Sequence, residues 1–445
     1  MTTEKNWRDM TWQEKREVRF ERWLNPVDAK FVSQEAENLY KQRVTRFIKA
    51  IKLEEPDRVP VMLPSGTYPA YYGGYDFRTI MYDYDAMNKA WTKFMDDFGD
   101  MDTYMGPSLV PCGPIAEVMQ SRLNALPGLG LPLNATMNQI VEGEYMMADE
   151  YDRYIMDPTD YMLRVLMPRT DGIFESFKKL PPLRNSRGNF WVNILSDPDI
   201  RKTFTTLMDM ADANKNYNTA LKEIGDLITG RGYPPFVEFG RFMAQCPFDY
   251  FADMMRGTKG IVRDIFRQPA KLHEAIDFQL DMTLKGIKDI PITNCPICAM
   301  PLHKGDDVFM SDKQFEEYYW PGLRAIFMAM IEEGLVPLPF AEGKYTRRLR
   351  QIADTPRTAV VWWFDQTDMA EAKKILGDVS CIMGNIPSSV LKTGTTQQVK
   401  DVSRNLIETC GPGGGFILSG GATIDDGNIE NLKAIMEAVY EYGAY

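Results

Sequence analysis

Histidine is almost missing from this chain of 445 residues, which has only His273 and His303, and cysteine is sparse at six: Cys112, Cys246, Cys295, Cys298, Cys381 and Cys410. Cysteines so few and so far apart cannot build a disulfide scaffold and suit reduced thiols. Positive charge is in deficit, with 51 Lys and Arg against 62 Asp and Glu and a net charge of −11. That balance excludes a general nucleic-acid binder, which needs clustered cations to displace counterions from phosphates. No apolar run approaches the ~18 residues of a membrane span, and the charged opening MTTEKNWRDMTWQEKREVRF lacks the apolar stretch of a signal peptide. A cytoplasmic location with no membrane and no nucleic-acid partner is therefore expected. The glycine run of Cys410 to Gly415 is not followed by Lys-Ser/Thr, so it is no nucleotide loop.

What the chain does have is rhythm. Residues 1–55 are charged and helical in pattern, with Ala36, Leu39, Val44, Phe47, Ile48 and Ile51 at near-3.6 spacing until Pro56 stops the run. They form an N-terminal helical extension that covers something. From residue 56 to 445 a unit of short apolar run, Gly/Pro turn and amphipathic helix recurs, as in CPICAMPLHKGDD before DKQFEEYYWPGLRAIFMAMIEEG and LVPLPFAEG before YTRRLRQIADTP. Such alternation makes an α/β fold with a parallel sheet, and a (β/α)8 TIM barrel is preferred over an open doubly wound sheet because no G-x-G-x-x-G turn occurs. Polar residues stand where the strands end: Tyr68, Glu238, His303 with Asp306 and Asp307, Glu342, Asp365 and Asn385. In such barrels these ends build the active site. The Met-, Tyr- and Pro-rich piece from about Cys112 to Ser196 interrupts the rhythm and reads as an insertion over the barrel mouth.

Several segments carry a resemblance: Glu55 to Val61 (EPDRVPV), Ser311 to Pro321, the run from Gly384 to Thr395, and the ending GGFILSGGATIDDGNIENLKAIMEAVYEYG. Over residues 42–445 the chain resembles the uroporphyrinogen decarboxylase superfamily, whose (β/α)8 barrels include tetrapyrrole decarboxylases and corrinoid-dependent methyltransferases. True decarboxylases carry two arginines after the first strand to hold a polycarboxylate substrate. Leu63 and Thr67 stand in those places, the segment Asp102 to Pro107 offers no carboxylate at the catalytic position, and Ser419-Gly420-Gly421 lacks the matching histidine. Thiol-accepting methyltransferases of the superfamily bind zinc through H-x-C and a later cysteine, where this chain has Phe340-Ala341-Glu342 and Ala422. The resemblance thus implies a methyltransferase that demethylates a small O-methyl (methoxy-aromatic) or N-methyl compound and passes the methyl group to Co(I) of the cobalamin on a separate corrinoid protein. A decarboxylase of a smaller substrate and a non-catalytic binding protein are the alternatives, and homodimerisation stays open.

Ether demethylation needs an acid or strong donor at the departing oxygen. Glu342, His303 and Asp307 are the catalytic candidates, with Glu342 first because it ends the strand VPLPFAE where the zinc branch has a ligand. Tyr68, Tyr104, Glu238, Trp362, Phe364, Asp365 and Asn385 are the substrate-binding candidates, the aromatic ones by stacking or cation–π contact. No metal ligand set is assigned. The pair Cys295-x-x-Cys298 lacks a second pair, alternation puts Cys298 and His303 on opposite strand faces, and a hard-ligand site at Glu342, His303 and Asp307 stays open.

Overall fold

The computed structural model describes residues 5–237, 244–288 and 290–445. Glu238 lies outside them. Two helices come first. Helix α1, Trp12–Leu24, starts at a capping box in which Thr11 and Glu14 satisfy each other's backbone N–H groups, and α2, Gln34–Ile51, is capped by Ser33.

The strands follow in chain order as β1 (Val61–Met62), the short β2 (Asn124–Pro127), β3 (Gly130–Leu131) and β4 (Gln139–Ile140), then β5 (Ile297–Leu302), β6 (Val336–Ala341), β7 (Val361–Phe364), β8 (Cys381–Ile386) and β9 (Phe416–Gly420). Six of them make one curled sheet in the order β1-β9-β8-β7-β6-β5, parallel throughout, and the other three make a small sheet in the order β3-β2-β4. The fold is α/β, as the alternation requires, and among the described residues its main sheet has six parallel strands, short of the eight that a closed barrel requires.

Its strands are apolar on both faces because both faces are covered. Val336, Leu338, Trp363, Met383 and Ile417 point to the concave side and join Phe20, Trp23 and Phe47 of α1 and α2 in one cluster. The two helices therefore close one end of the concave side, with Trp23 stacked on Phe47 at 6.1 Å and Phe47 against Phe236 at 4.6 Å. Met300, Leu302, Trp362, Phe364, Ile382 and Leu418 point the other way, into the layer of outer helices. Asp102 is fully buried near the start of β1, where it pairs with Arg46 and Arg58 and accepts the Val61 N–H at 2.8 Å.

The insertion carries the small sheet and reaches the loops beyond the C-terminal strand ends. Tyr71, after β1, donates to the Thr136 carbonyl at 2.9 Å, Thr136 donates to Asp425 after β9 at 3.3 Å, and Lys304 after β5 donates to Glu142 at 3.1 Å. It thus spans the mouth of the sheet. Among the described residues no helix is long and apolar enough to cross a membrane.

Candidate active site

Strand register brings the main candidates together. Leu302 of β5 lies beside Ala341 of β6, so the next residues, His303 and Glu342, are neighbours, and His303 Nε2 stands 3.7 Å from Glu342 Oε1. Ala341 lies beside Phe364 of β7, which puts Asp365 next to Glu342. Asn385 of β8 pairs with Ser419 of β9, and Ser419 pairs with Met62 of β1. One inward polar residue per strand, His303, Glu342, Asp365, Asn385 and Ser419, therefore lines the mouth from β5 to β9. One layer below lies an aromatic floor, Phe340 stacked on Trp363 at 3.9 Å, with the indole N–H held by the Gly420 carbonyl at 2.9 Å.

His303 is gripped from a neighbouring helix that sequence reasoning did not weigh. Helix α3, Pro247–Phe251, runs into a π-helical turn, Ala252–Arg256, and presents Asp249 and Asp253 on one side. Asp253 Oδ2 meets His303 Nδ1 at 2.6 Å and also accepts from Gln245 at 3.0 Å. Asp249, fully buried, accepts the backbone N–H of His303 at 3.0 Å, that of Lys304 at 3.1 Å and the Tyr319 hydroxyl at 2.6 Å. A π turn at such a place is a common mark of a functional site. The sequence signal was PFDYFAD, two carboxylates four residues apart just after a strand-end loop.

Electrostatics favour a charged imidazole. Burial works against protonation of His303, but the hydrogen bond and charge of Asp253, with Glu342 and Asp249 adding to them, push its pKa up to about 9. Glu342 is shifted upward, first by burial and then by Asp365 and Asp253, with His303 and Lys304 opposing. Burial, reinforced by Asp253, pushes Asp249 up to about 7 despite the donors around it. At neutral pH the site thus holds an imidazolium with Nδ1–H fixed on Asp253 and Nε2–H facing Glu342 at 3.7 Å.

Other candidates take different places. Asp307 accepts the Arg347 N–H at 3.0 Å and lies 3.7 Å from buried Arg348, so it ties two loops. Asp365 accepts the Gly343 N–H at 3.0 Å, and Asn385 donates to the Asp365 and Thr367 carbonyls at 3.0 and 2.8 Å; both brace the loops at the mouth. Tyr68 packs against Tyr72 and Phe94, and burial lifts its hydroxyl pKa to about 12. Tyr104 has its hydroxyl committed to the Phe98 carbonyl, yet its ring lines a cavity of about 230 Å³ with Met62, Phe236, Ala299 and Trp363.

The expectation for Trp362 and Phe364 is corrected. Trp362 and Phe364 are fully buried on the outward face, where Trp362 meets Phe327 of helix α4 (Trp320–Glu332) at 5.7 Å, so neither reaches the mouth; Trp363, between them, faces inward. Among the described residues no group of three His, Cys, Asp or Glu is placed to hold a metal ion. The inward positions of β6 and β9 offer aromatic, carboxylate and hydroxyl groups without a thiol, a donor set that does not fit a thiolate-activating zinc.

Residues 241–442 match the model of the uroporphyrinogen decarboxylase (URO-D) family. The superfamily resemblance carried by the motifs is thereby shown, over a shorter stretch than residues 42–445. No curated protein matches the chain. Among solved structures, a methyltransferase from Methanosarcina mazei superposes with a TM-score of 0.57 at 16% identity, over 89% of this chain and 98% of that one. At that identity the likeness speaks for the fold.

Proposed function

We propose that this protein is a methyltransferase that removes the methyl group of a small methoxylated aromatic compound and delivers it to Co(I) of a corrinoid carried by a separate protein, in the reducing cytoplasm. The six-stranded sheet is taken as part of a closed (β/α)8 barrel whose mouth is the site. The observation that supports this reading is the imidazole of His303, held by Asp253 at 2.6 Å and facing Glu342 at the ends of β5 and β6.

The chemistry follows from the leaving group. As the methyl carbon–oxygen bond breaks, its electron pair stays on oxygen, and the methyl carbon bonds to the electron pair of the acceptor. The oxygen gains negative charge, which a donor at Nε2 stabilises and then neutralises by transferring its proton. Asp253 keeps the imidazole oriented and charged, and Glu342 on the far side completes the proton path. A thiol acceptor would need a zinc-bound thiolate, which the donor set does not supply; the corrinoid enters as co-substrate. The aromatic floor of Phe340 and Trp363 suits an arene ring. Porphyrinogen decarboxylation is disfavoured because Asp102, the nearest carboxylate in that region, is consumed by Arg46, Arg58 and the Val61 N–H.

Incubation with a reduced corrinoid protein and a panel of methoxylated arenes tests the proposal. Free phenol and methylated corrinoid should appear in equal amounts. A broad panel of methyl ethers and methylated amines that leaves the corrinoid spectrum unchanged would contradict it.

A further inference from the structure

The buried groups behind the site do more than fill the barrel wall. Strand β5 ends at Leu302, and the next two N–H groups converge on one carboxylate: Asp249 Oδ2 takes the His303 N–H at 3.0 Å and Oδ1 takes the Lys304 N–H at 3.1 Å. The same Oδ2 accepts the Tyr319 hydroxyl at 2.6 Å, and the whole carboxylate is shut off from solvent. The chain then turns hard against two tyrosines: a Cβ added at Gly305 would lie 2.6 Å from a Tyr319 ring carbon and 2.7 Å from the Tyr345 hydroxyl, so no side chain fits there. One turn further along the helix, Asp253 holds the ring of the same histidine.

We infer that Asp249 is a positioning residue for His303: it clamps the backbone at the end of β5 so that the imidazole meets Asp253 on one side and faces Glu342 on the other, with Tyr319 holding the clamp. An ordinary loop would leave these N–H groups to water. Here a buried carboxyl group, costly unless fully hydrogen-bonded, serves them. The groups facing the carboxylate are Asp253 from the next turn of its own helical segment, the His303–Lys304 backbone from β5, Tyr319 from the π turn before α4, and Tyr345 and Cys246 close by. An amide at position 249 can keep its oxygen toward His303 and Tyr319 only by turning N–H donors against the Lys304 N–H. Replacement by Asn should therefore loosen the clamp and also remove one negative charge close to the imidazole.

The role in turnover rests on the methyl-transfer reading, but the clamp can be tested without substrate or acceptor. Because the chain has only two histidines, the imidazole C2–H signals of His303 and His273 can be followed by NMR in a pH titration of the full chain and assigned with His303→Gln. In Asp249→Asn the His303 midpoint should fall by a unit or more, a tenfold change in proton affinity, while His273 stays in place. Tyr319→Phe, a milder change that keeps the carboxylate, should move the His303 midpoint in the same direction by less, and it decides the matter if Asp249→Asn does not fold. A lowered melting temperature with an unmoved His303 midpoint in the folded variants would show Asp249 to be packing alone and would overturn the inference. If the midpoint moves yet no methyl transfer is found with any panel, the clamp stands and the functional reading fails.

Discussion

Replacing Asp253 by Asn isolates the charge that holds His303 protonated, because the amide oxygen can still accept the Nδ1–H that the carboxylate accepts at 2.6 Å. With Asp253 in place the imidazole pKa is raised to about 9. At pH 7.5 that leaves about 97% of the rings protonated. Without that charge only Glu342 and Asp249 are left to oppose burial, and the pKa falls toward the ordinary ~6.5, at which about 9% stay protonated at pH 7.5. Single-turnover methyl transfer at pH 7.5 should accordingly drop about tenfold, and lowering the pH to about 6 should restore part of it. The wild-type rate should hold until the pH approaches about 9, whereas the Asp253→Asn rate should decline from about pH 6.5 upward. Rapid-quench measurement of phenol release across that range gives both profiles. Identical profiles would refute the assignment of His303 as the proton donor held by Asp253.

Glu342→Gln should lower turnover by ~10²–10⁴. It should leave the melting temperature almost unchanged, since the Glu342 side chain is 44% exposed and its loss strands no buried partner; near-wild-type turnover would remove it from the mechanism. Asp102→Asn should behave in the opposite way, destabilising the protein by about 3–5 kcal/mol in urea titrations because Arg46 and Arg58 lose their buried partner, and a loss below about 1 kcal/mol would contradict that structural role. His303 has a folded-state pKa above its unfolded one, so its contribution to stability is complete below about pH 6.5 and fades as pH rises toward about 9. The stability gap between wild type and His303→Gln should therefore shrink over that window, and a gap that widens with pH would show the shift to have the wrong sign.

Strand ends were legible because each apolar run stops at a polar residue, and parallel register then makes neighbours of residues such as His303 and Glu342 that stand 39 positions apart. The orientation of β7 was misjudged although the sequence held the cue. Asp365 was expected at the mouth, and alternation places Trp363, not Trp362 or Phe364, on the same face as Asp365. In a run as uniformly apolar as Val361–Phe364 only that polar neighbour breaks the tie. Asp249 and Asp253 were not legible as partners of His303 because their helix packs against β5 through tertiary contacts that periodicity cannot encode. Asp307 looked catalytic beside His303, yet the chain turns at Gly305 and sends it toward Arg347 and Arg348.

The central claim, that the His303–Glu342 pair donates to the leaving oxygen, meets its most direct test in a series of aryl methyl ethers whose phenols differ in acidity. An enzyme that protonates its leaving group depends weakly on phenol pKa, and one that has lost its acid depends on it steeply. Single-turnover rates should show a shallow slope for the wild type and a steep one for His303→Gln and Glu342→Gln, with poor leaving groups losing most and acidic nitrophenol ethers losing little. Parallel slopes for wild type and variants would contradict the claim, since the pair would then contribute equally whether or not the departing oxygen needs a proton.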